Sequence, residues 1–456
     1  MADSYIDYIY RYPFASAIAE GNGGSSELNL ATSERSNEFP HFFEGKLLQP
    51  RAIAQMLFVL SKIVSTRFYI PPAMLEKLIL ERDPVITSGG QMLRFEGFSA
   101  CCSTYARVDV SPEAYKGQVV GTGTTNVDFN SPMRSALAMV RDEDNLSMSV
   151  GAEKVTLRHG FAKIEERKVQ LPLRWIKGFV EVQAYQSRME TRLNIGKVET
   201  VRFLRSLPSS TSSRSVFFVV PSGKGLRLSQ RDDGSGVKVG GSERLLLLRA
   251  LAPLADDLSV YAMPDGEASE WRLRCGGLTF CLTLSAEPSR GFSGEGQVLS
   301  DLANVDAKKL SSVRSALKWQ SCVDVSEISR LSGLQDNAVR QNLSLSGSRG
   351  LVGYDLGMGS YFHRELPFEM ERVEELHPRL KSARKLVEHD GVRIKFRDEE
   401  RVEAVVKGTD VYHSVKISPT GMQCTCPWHS KYQGLRGPCK HILSAQMVVD
   451  DNSGQD

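Results

Sequence analysis

Nowhere in the 456 residues does an apolar run reach the roughly 18 positions a helix needs to cross a bilayer. The opening MADSYIDYIYRYPF has neither the basic nor the apolar segment of a secretory leader. Both absences argue for a cytosolic, cytoplasmic protein whose thiols stay reduced. Its eight cysteines are then no disulfide framework, and clustered ones point to metal binding or catalysis. Charge of one sign is also short: the formal net charge is +3, so no nucleic-acid partner follows from the global balance and any electrostatic argument rests on local patches. The phosphate loop G-x-x-x-x-G-K-[ST], the helix motif H-E-x-x-H and the elbow G-x-S-x-G are all missing. GTGTT (121–125) is glycine-rich but has no lysine, and it reads as a turn. The chain is therefore expected to bind rather than catalyse.

What is present, 41% hydrophobic and 24% charged residues over this length, suffices for three or four domains and an α+β multidomain fold. Residues 1–41 are expected to be a flexible segment, because EGNGGSSELNLATSERSNEFPH (20–41) has few large apolar groups to repay its ordering entropy. PRAIAQMLFVLSKIVSTRFYI opens with Pro50 in a first-turn position and carries Ile53, Met56, Leu57, Leu60, Ile63 and Val64 at helical spacing, which predicts one amphipathic helix. Further on, TYARVDV, LSMSV, KVTL and GFVEVQ read as strands and SPMRSALAMVRD as a helix, giving an α+β domain over 42–207. PSSTSSRS is a polar spacer. Beyond it VFFVVP, GLRLSQ, GVKVG, WRLRCG and LTFCLTLS, with a helix at ERLLLLRALAPL, predict a separate β-rich module over 214–286. Cys101, Cys102, Cys275 and Cys281 lack partner clusters and read as small core residues.

Between Lys154 and Arg205 basic residues outnumber acidic ones, with Trp175, Phe179 and Tyr185 interleaved. Such a patch suits either a nucleic-acid surface or the solvated face of a β domain.

Residues 306–366 have a legible plan. AKKLSSVRSALKW, VSEISRLSGL and QDNAVRQNLSLSGSRGLV predict three helices, the second capped by Ser326 and stopped near Gly333, and the third ended by Gly347. GLVGYDLGMGSYFHREL predicts two strands turning at 357–359. Three helices and a hairpin resemble a winged helix-turn-helix with Gln335–Asn342 as the recognition segment, where Arg340 and the nearby Arg349 are the candidate nucleic-acid contacts. A helical connector follows over 367–400, its stripe of Leu380, Ala383 and Leu386 expected to be packed.

Soft-metal ligands gather in one place only. Cys424, Cys426, Cys439 and His441 supply the four sulfur and nitrogen donors of a closed tetrahedral zinc site, which leaves no position for a reactive water and so predicts one structural Zn2+. His429 is the alternative imidazole, but Trp428, Ser430 and Lys431 around it suit an exposed loop. Two strand-like runs joined by KGTD lead into the first pair, and the apolar run Ile442, Leu443, Ala445, Met447 leads out as a helix. Lys431, Arg436 and Lys440 add candidate phosphate contacts. The other histidines, His41, His159, His363, His377, His389 and His413, are isolated and read as ordinary packed or surface residues.

C-x-C, a variable loop and C-x-H, entered from ββ and left by α, resembles the SWIM zinc finger over 401–448. That resemblance implies DNA binding or protein interaction. Likeness to stand-alone bacterial SWIM-finger proteins further implies a MoxR-type ATPase and a von Willebrand-type domain protein as partners. Two functions are thus expected: a DNA-associated factor gripping a duplex with winged helix and finger, or an adaptor in a multicomponent complex.

Overall fold

The computed structural model describes residues 15–20, 25–33, 41–69, 83–151, 173–209, 215–289, 291–292, 307–366, 378–398, 400–419, 421–434 and 437–451, with Tyr12 and Leu299 besides. The expected strand KVTL, the basic residues from Lys154 to Lys168 and the candidate contact Arg436 lie outside them. The fold is mixed α+β and multidomain, with several sheets and helices.

Five strands form the first sheet, in the order β1 (Ala17–Glu20), β2 (Ser25–Leu30), β9 (Asn145–Val150), β3 (Phe43–Leu47), β7 (Tyr115–Val119). The loop reading of 20–41 fails at β2, because Leu28 and Leu30 alternate inward and are fully buried, and the strand pairs in parallel with β9 from much later in the chain.

An antiparallel sheet of eight strands dominates the molecule. Its order is β10 (Glu190–Gly196), β14 (Asp257–Ala262), β15 (Ala268–Cys275), β16 (Leu278–Ser285), β6 (Thr104–Val110), β5 (Met92–Phe98), β4 (Val85–Gly89), β8 (Gly123–Asn126). Strand β16 pairs with β6 from Leu278↔Val110 to Leu284↔Thr104, so the segments read as a 42–207 domain and a separate 214–286 module share one sheet and one core. A polar spacer marks a loop; it does not say whether the strands on its two sides hydrogen-bond. β8 also replaces the turn expected at GTGTT. A small sheet of β12 (Gly225–Ser229), β11 (Val216–Ser222) and β13 (Val237–Gly240) lies beside it.

Helix α1 (Pro50–Ser65) lies on β5 and β6 and buries all six residues of its expected stripe, at about 1.5–3 kcal/mol for each large side chain. Helices α2 (Ser131–Met139), α3 (Leu173–Gln186) and α4 (Lys197–Ser206) complete this region, and the helix expected at ERLLLLRALAPL is present as two 3-10 segments, Ser242–Ala250 and Ala252–Leu254. GFVEVQ, read as a strand, belongs to α3, where Trp175, Phe179 and Tyr185 are 0%, 1% and 8% exposed. Those rings pack on Phe98 and its neighbours and are closed to a nucleic-acid base.

Residues 307–363 form three helices and a hairpin: α5 (Ala307–Ala316), α6 (Val325–Ser332), α7 (Asp336–Ser348), β17 (Val352–Asp355) and β18 (Ser360–His363). The α6 cap is Asp324, whose side chain accepts from the Ser326 and Glu327 amides, and not Ser326; Gly333, at φ 72°, ends the helix in the left-handed conformation glycine tolerates. Ile328, Val339, Leu343 and Val352 build this unit's own core.

The hairpin does not project into solvent. Arg94, Arg107 and Arg272 from the large sheet surround the Asp355 carboxylate, and Phe362 lies with its ring 4.1 Å from the Arg94 guanidinium. Arg364 pairs with Glu96 in the same sheet at 2.5 Å. A hairpin seated this way cannot enter a groove of DNA as a wing.

Candidate metal centre and its surroundings

The last described residues are built on α8 (Pro378–Glu388) and a sheet of β19 (Val392–Arg397), β20 (Val402–Lys407), β21 (Tyr412–Ser418) and β22 (Gly421–Cys424), followed by α9 (Pro427–Tyr432) and α10 (Lys440–Asp451). Ala404, Val406 and Val415 point toward α10, where Ile442 and Ala445 meet them. Leu380 and Ala383 of the connector helix are fully buried with Leu443 and Met447, so the expected packed stripe is there.

This frame carries the four ligands from three places. Cys424 ends β22, Cys426 sits at the N-cap of α9, and Cys439 and His441 flank the first residue of α10. Their donor atoms all lie within 4.8 Å of one another, and all four side chains are buried. His441 Nδ1 is 3.8 Å from Cys424 Sγ and 4.0 Å from Cys439 Sγ. Two ligands at ~2.3 and ~2.0 Å from one tetrahedral ion stand roughly 3.5 Å apart, so one ion fits between these donors with only a small contraction. Three thiols and an imidazole are consistent with a zinc site.

The ligands also set one another's proton affinity. A hydrogen bond from Cys424 holds the Cys439 thiol down at about 4 and pushes the Cys424 thiol well up. Burial raises Cys426. A cation that binds here meets one thiolate already formed and displaces the remaining thiol protons, so uptake weakens as pH falls.

His429 stands outside this group of four: its backbone amide donates to Cys426 Sγ at 3.4 Å, and the residue lines a cleft. One residue missed by the sequence reading is His413, whose ring lies 4.5 Å from that of His441 and whose own pKa is lowered by burial. The packing of α10 on β21 brings it there, which spacing alone cannot foretell. Trp428 is held under the Arg379 guanidinium, 4.6 Å from its ring, and Arg379 donates to the Pro438 carbonyl beside Cys439. These contacts tie the connector helix to the metal loop.

Of the candidate nucleic-acid contacts, Lys431 is exposed and Lys440 half-buried on the metal unit, whereas Arg340 is exposed on α7 and Arg349 half-buried at its C-terminal cap. The structure therefore does not bring the two pairs onto one element. Asp336, exposed one turn before Arg340 on the same helix, offsets its charge.

No protein-family model and no curated protein matches the chain. Solved structures similar to it over 53% of its length include the Proliferating Cellular Nuclear Antigen from Entamoeba histolytica, 98% of which is covered at 11% identity and a TM-score of 0.34. Another is a PCNA2–PCNA3 complex from Sulfolobus tokodaii, with 98% of that chain and 53% of this one aligned at 9% identity and a TM-score of 0.33.

Proposed function

We propose that the C-terminal unit is a SWIM-type finger, closed by one structural Zn2+, that binds nucleic acid mainly through phosphate contacts. The observation that carries this reading is charge segregation. Residues 378–448 hold 13 Lys and Arg against seven Asp and Glu, so this small unit exceeds the +3 of the whole chain and the remainder is net negative. Such a basic block on an otherwise neutral protein is the electrostatic footprint expected of a polyanion binder. The three-helix unit would then serve as a winged-helix-like packing module, contributing at most Arg340.

Polarisation of a labelled random duplex across a salt series tests the reading. Affinity should fall linearly in log–log form as salt rises. Absence of binding at low salt would overturn it in favour of the second reading, an adaptor that holds protein partners, with a MoxR-type ATPase as the first to try. That alternative draws support from the hairpin around Asp355, which is used as a protein-docking element already within this chain.

A further inference from the structure

We propose that the open face of the sheet β19–β22 binds a single-stranded nucleic acid, with Phe396 and Tyr412 as stacking platforms and Arg393 and Lys407 as phosphate contacts. This deepens, and rests on, the nucleic-acid reading of the same unit.

The sequence VRIKFR of β19 alternates Val392, Ile394 and Phe396, a pattern that would put all three against the helices. The strand does not follow it. Val392 pairs with Val406 and Ile394 with Ala404 on the helix-covered face; a bulge then inserts Lys395, and Phe396 pairs with Glu403 on the opposite, open face. The bulge thus turns an apolar ring out of the core, leaving it 47% exposed, while Arg397 takes the inner position and donates to the Val449 carbonyl of α10. Extra residues in a strand that re-aim a side chain are a recurring device at functional sites.

On the same face Tyr412 pairs with Lys407 and is 69% exposed. One exposed ring calls for no account, but two on one sheet face, set among unpaired cations, do. Arg393 pairs with Val405 between them, and Arg393, Lys395 and Lys407 have no ion-pair partner among the described residues. Among the described residues of the four strands, Glu403 is the one carboxylate on this face, and it is engaged by Arg401 and by Lys416 at 3.3 Å. From strand rise and strand spacing the two rings stand roughly 16 Å apart on a diagonal that passes Arg393.

Toward β22 the face runs into a cleft of about 990 Å3 whose far wall carries Asp265 and Glu267. Arg188, Arg401 and Lys416 line the same cleft, so cations continue along the face beyond β21. A flat face with outward rings offers nothing to enter a duplex groove, but it suits bases already unstacked from their neighbours, which can stack on the rings while cations track the backbone.

The test is polarisation of full-length protein at low salt with two probes, an oligothymidine of about 20 nucleotides and a random duplex of about the same length, chosen to exceed a ~4–16-nucleotide site. The double variant Phe396→Ala, Tyr412→Ala should bind the single strand about ten-fold or more weakly while keeping its duplex affinity and metal content. Unchanged single-strand affinity, or an equal loss on both probes, would overturn the proposal. So would a parent protein that binds the duplex alone, and that result would leave the broader nucleic-acid reading standing; binding of neither probe would sink both. Should the double variant lose metal, Arg393→Ala with Lys407→Ala decides in its place by the same comparison.

Discussion

Arg272 Nη1 donates to Asp355 Oδ1 over 2.7 Å, joining a strand of the large sheet to a hairpin 83 residues further along the chain. Burial alone would raise the Asp355 carboxyl, but Arg107, Arg272 and Arg94 together hold it well below the usual carboxylate range. Removing that one carboxylate leaves the buried Arg94 and Arg107 to share Asp109, and Arg272 with Glu270 alone at 3.6 Å. Asp355→Asn should therefore cost about 3–5 kcal/mol, the usual penalty for breaking a buried pair from one side. A urea midpoint equal to that of the parent would show that the hairpin is not held by this charge.

Acid should loosen the same contact. A hydrogen bond from His363, with Arg314 beside it, holds Glu365 down at about 2, and Asp355 is depressed as well. Both carboxyls have lower pKa values folded than unfolded, so below about pH 4.5 the unfolded chain takes up protons that the folded one does not. The stability these groups give is complete above that point and drains away toward pH 2 and below. Thermal midpoints at pH 6, 4 and 3 should fall in that order, and Asp355→Asn should flatten the trend.

Gly353 faces the ring of Phe362 so closely that a Cβ there would come within 2.3 Å of it. The ring is fixed by the cations around it and cannot swing away. Gly353→Ala should destabilise by about 1–3 kcal/mol through overpacking, visible as a lower denaturant midpoint. Met358→Ala, at the 47% exposed tip of the same hairpin, should be neutral.

Elemental analysis should find one zinc per chain, and Cys426→Ser should lose it. Since much of a structural zinc's binding free energy is folding free energy, the variant should lose amide protection across β19–β22 and α10, while the eight-stranded sheet still melts cooperatively. Full zinc content in that variant would remove Cys426 from the ligand set.

Lys431→Ala and Lys440→Ala test the phosphate contacts. Each should weaken duplex binding regardless of sequence and reduce the slope of log affinity against log salt by about one, whereas Arg349→Ala should change neither. Equal slopes in parent and lysine variants would exclude both side chains from the interface.

The sequence was readable where one local rule decided the outcome. Helix α1 followed from its i, i+3, i+4 stripe, and the gathering of Cys424, Cys426, Cys439 and His441 into one candidate metal site from their residue types, since a cluster of soft donors has few other uses. Long-range pairing was not readable. SSELNL looks like a loop because four of its six residues are polar, and only the parallel partner β9 makes it a strand. Trp175, Phe179 and Tyr185 looked available because basic residues surround them in sequence, yet three helical turns carry them into the core. Phe396 shows the converse: alternation sends it inside, and a single inserted residue brings it out.

The pairing of β6 with β16 also governs how the chain is made. A ribosome that has just released β6 must add about 170 further residues before its partner emerges, on the order of 10–30 s at ~5–20 residues per second. Throughout that interval β6 presents a bare row of amides and carbonyls, a template for pairing with any other nascent copy. The nascent protein thus has a built-in window of self-association, closed only when Leu278–Ser285 clears the exit tunnel, and a chaperone acting on it would have to cover that edge until then.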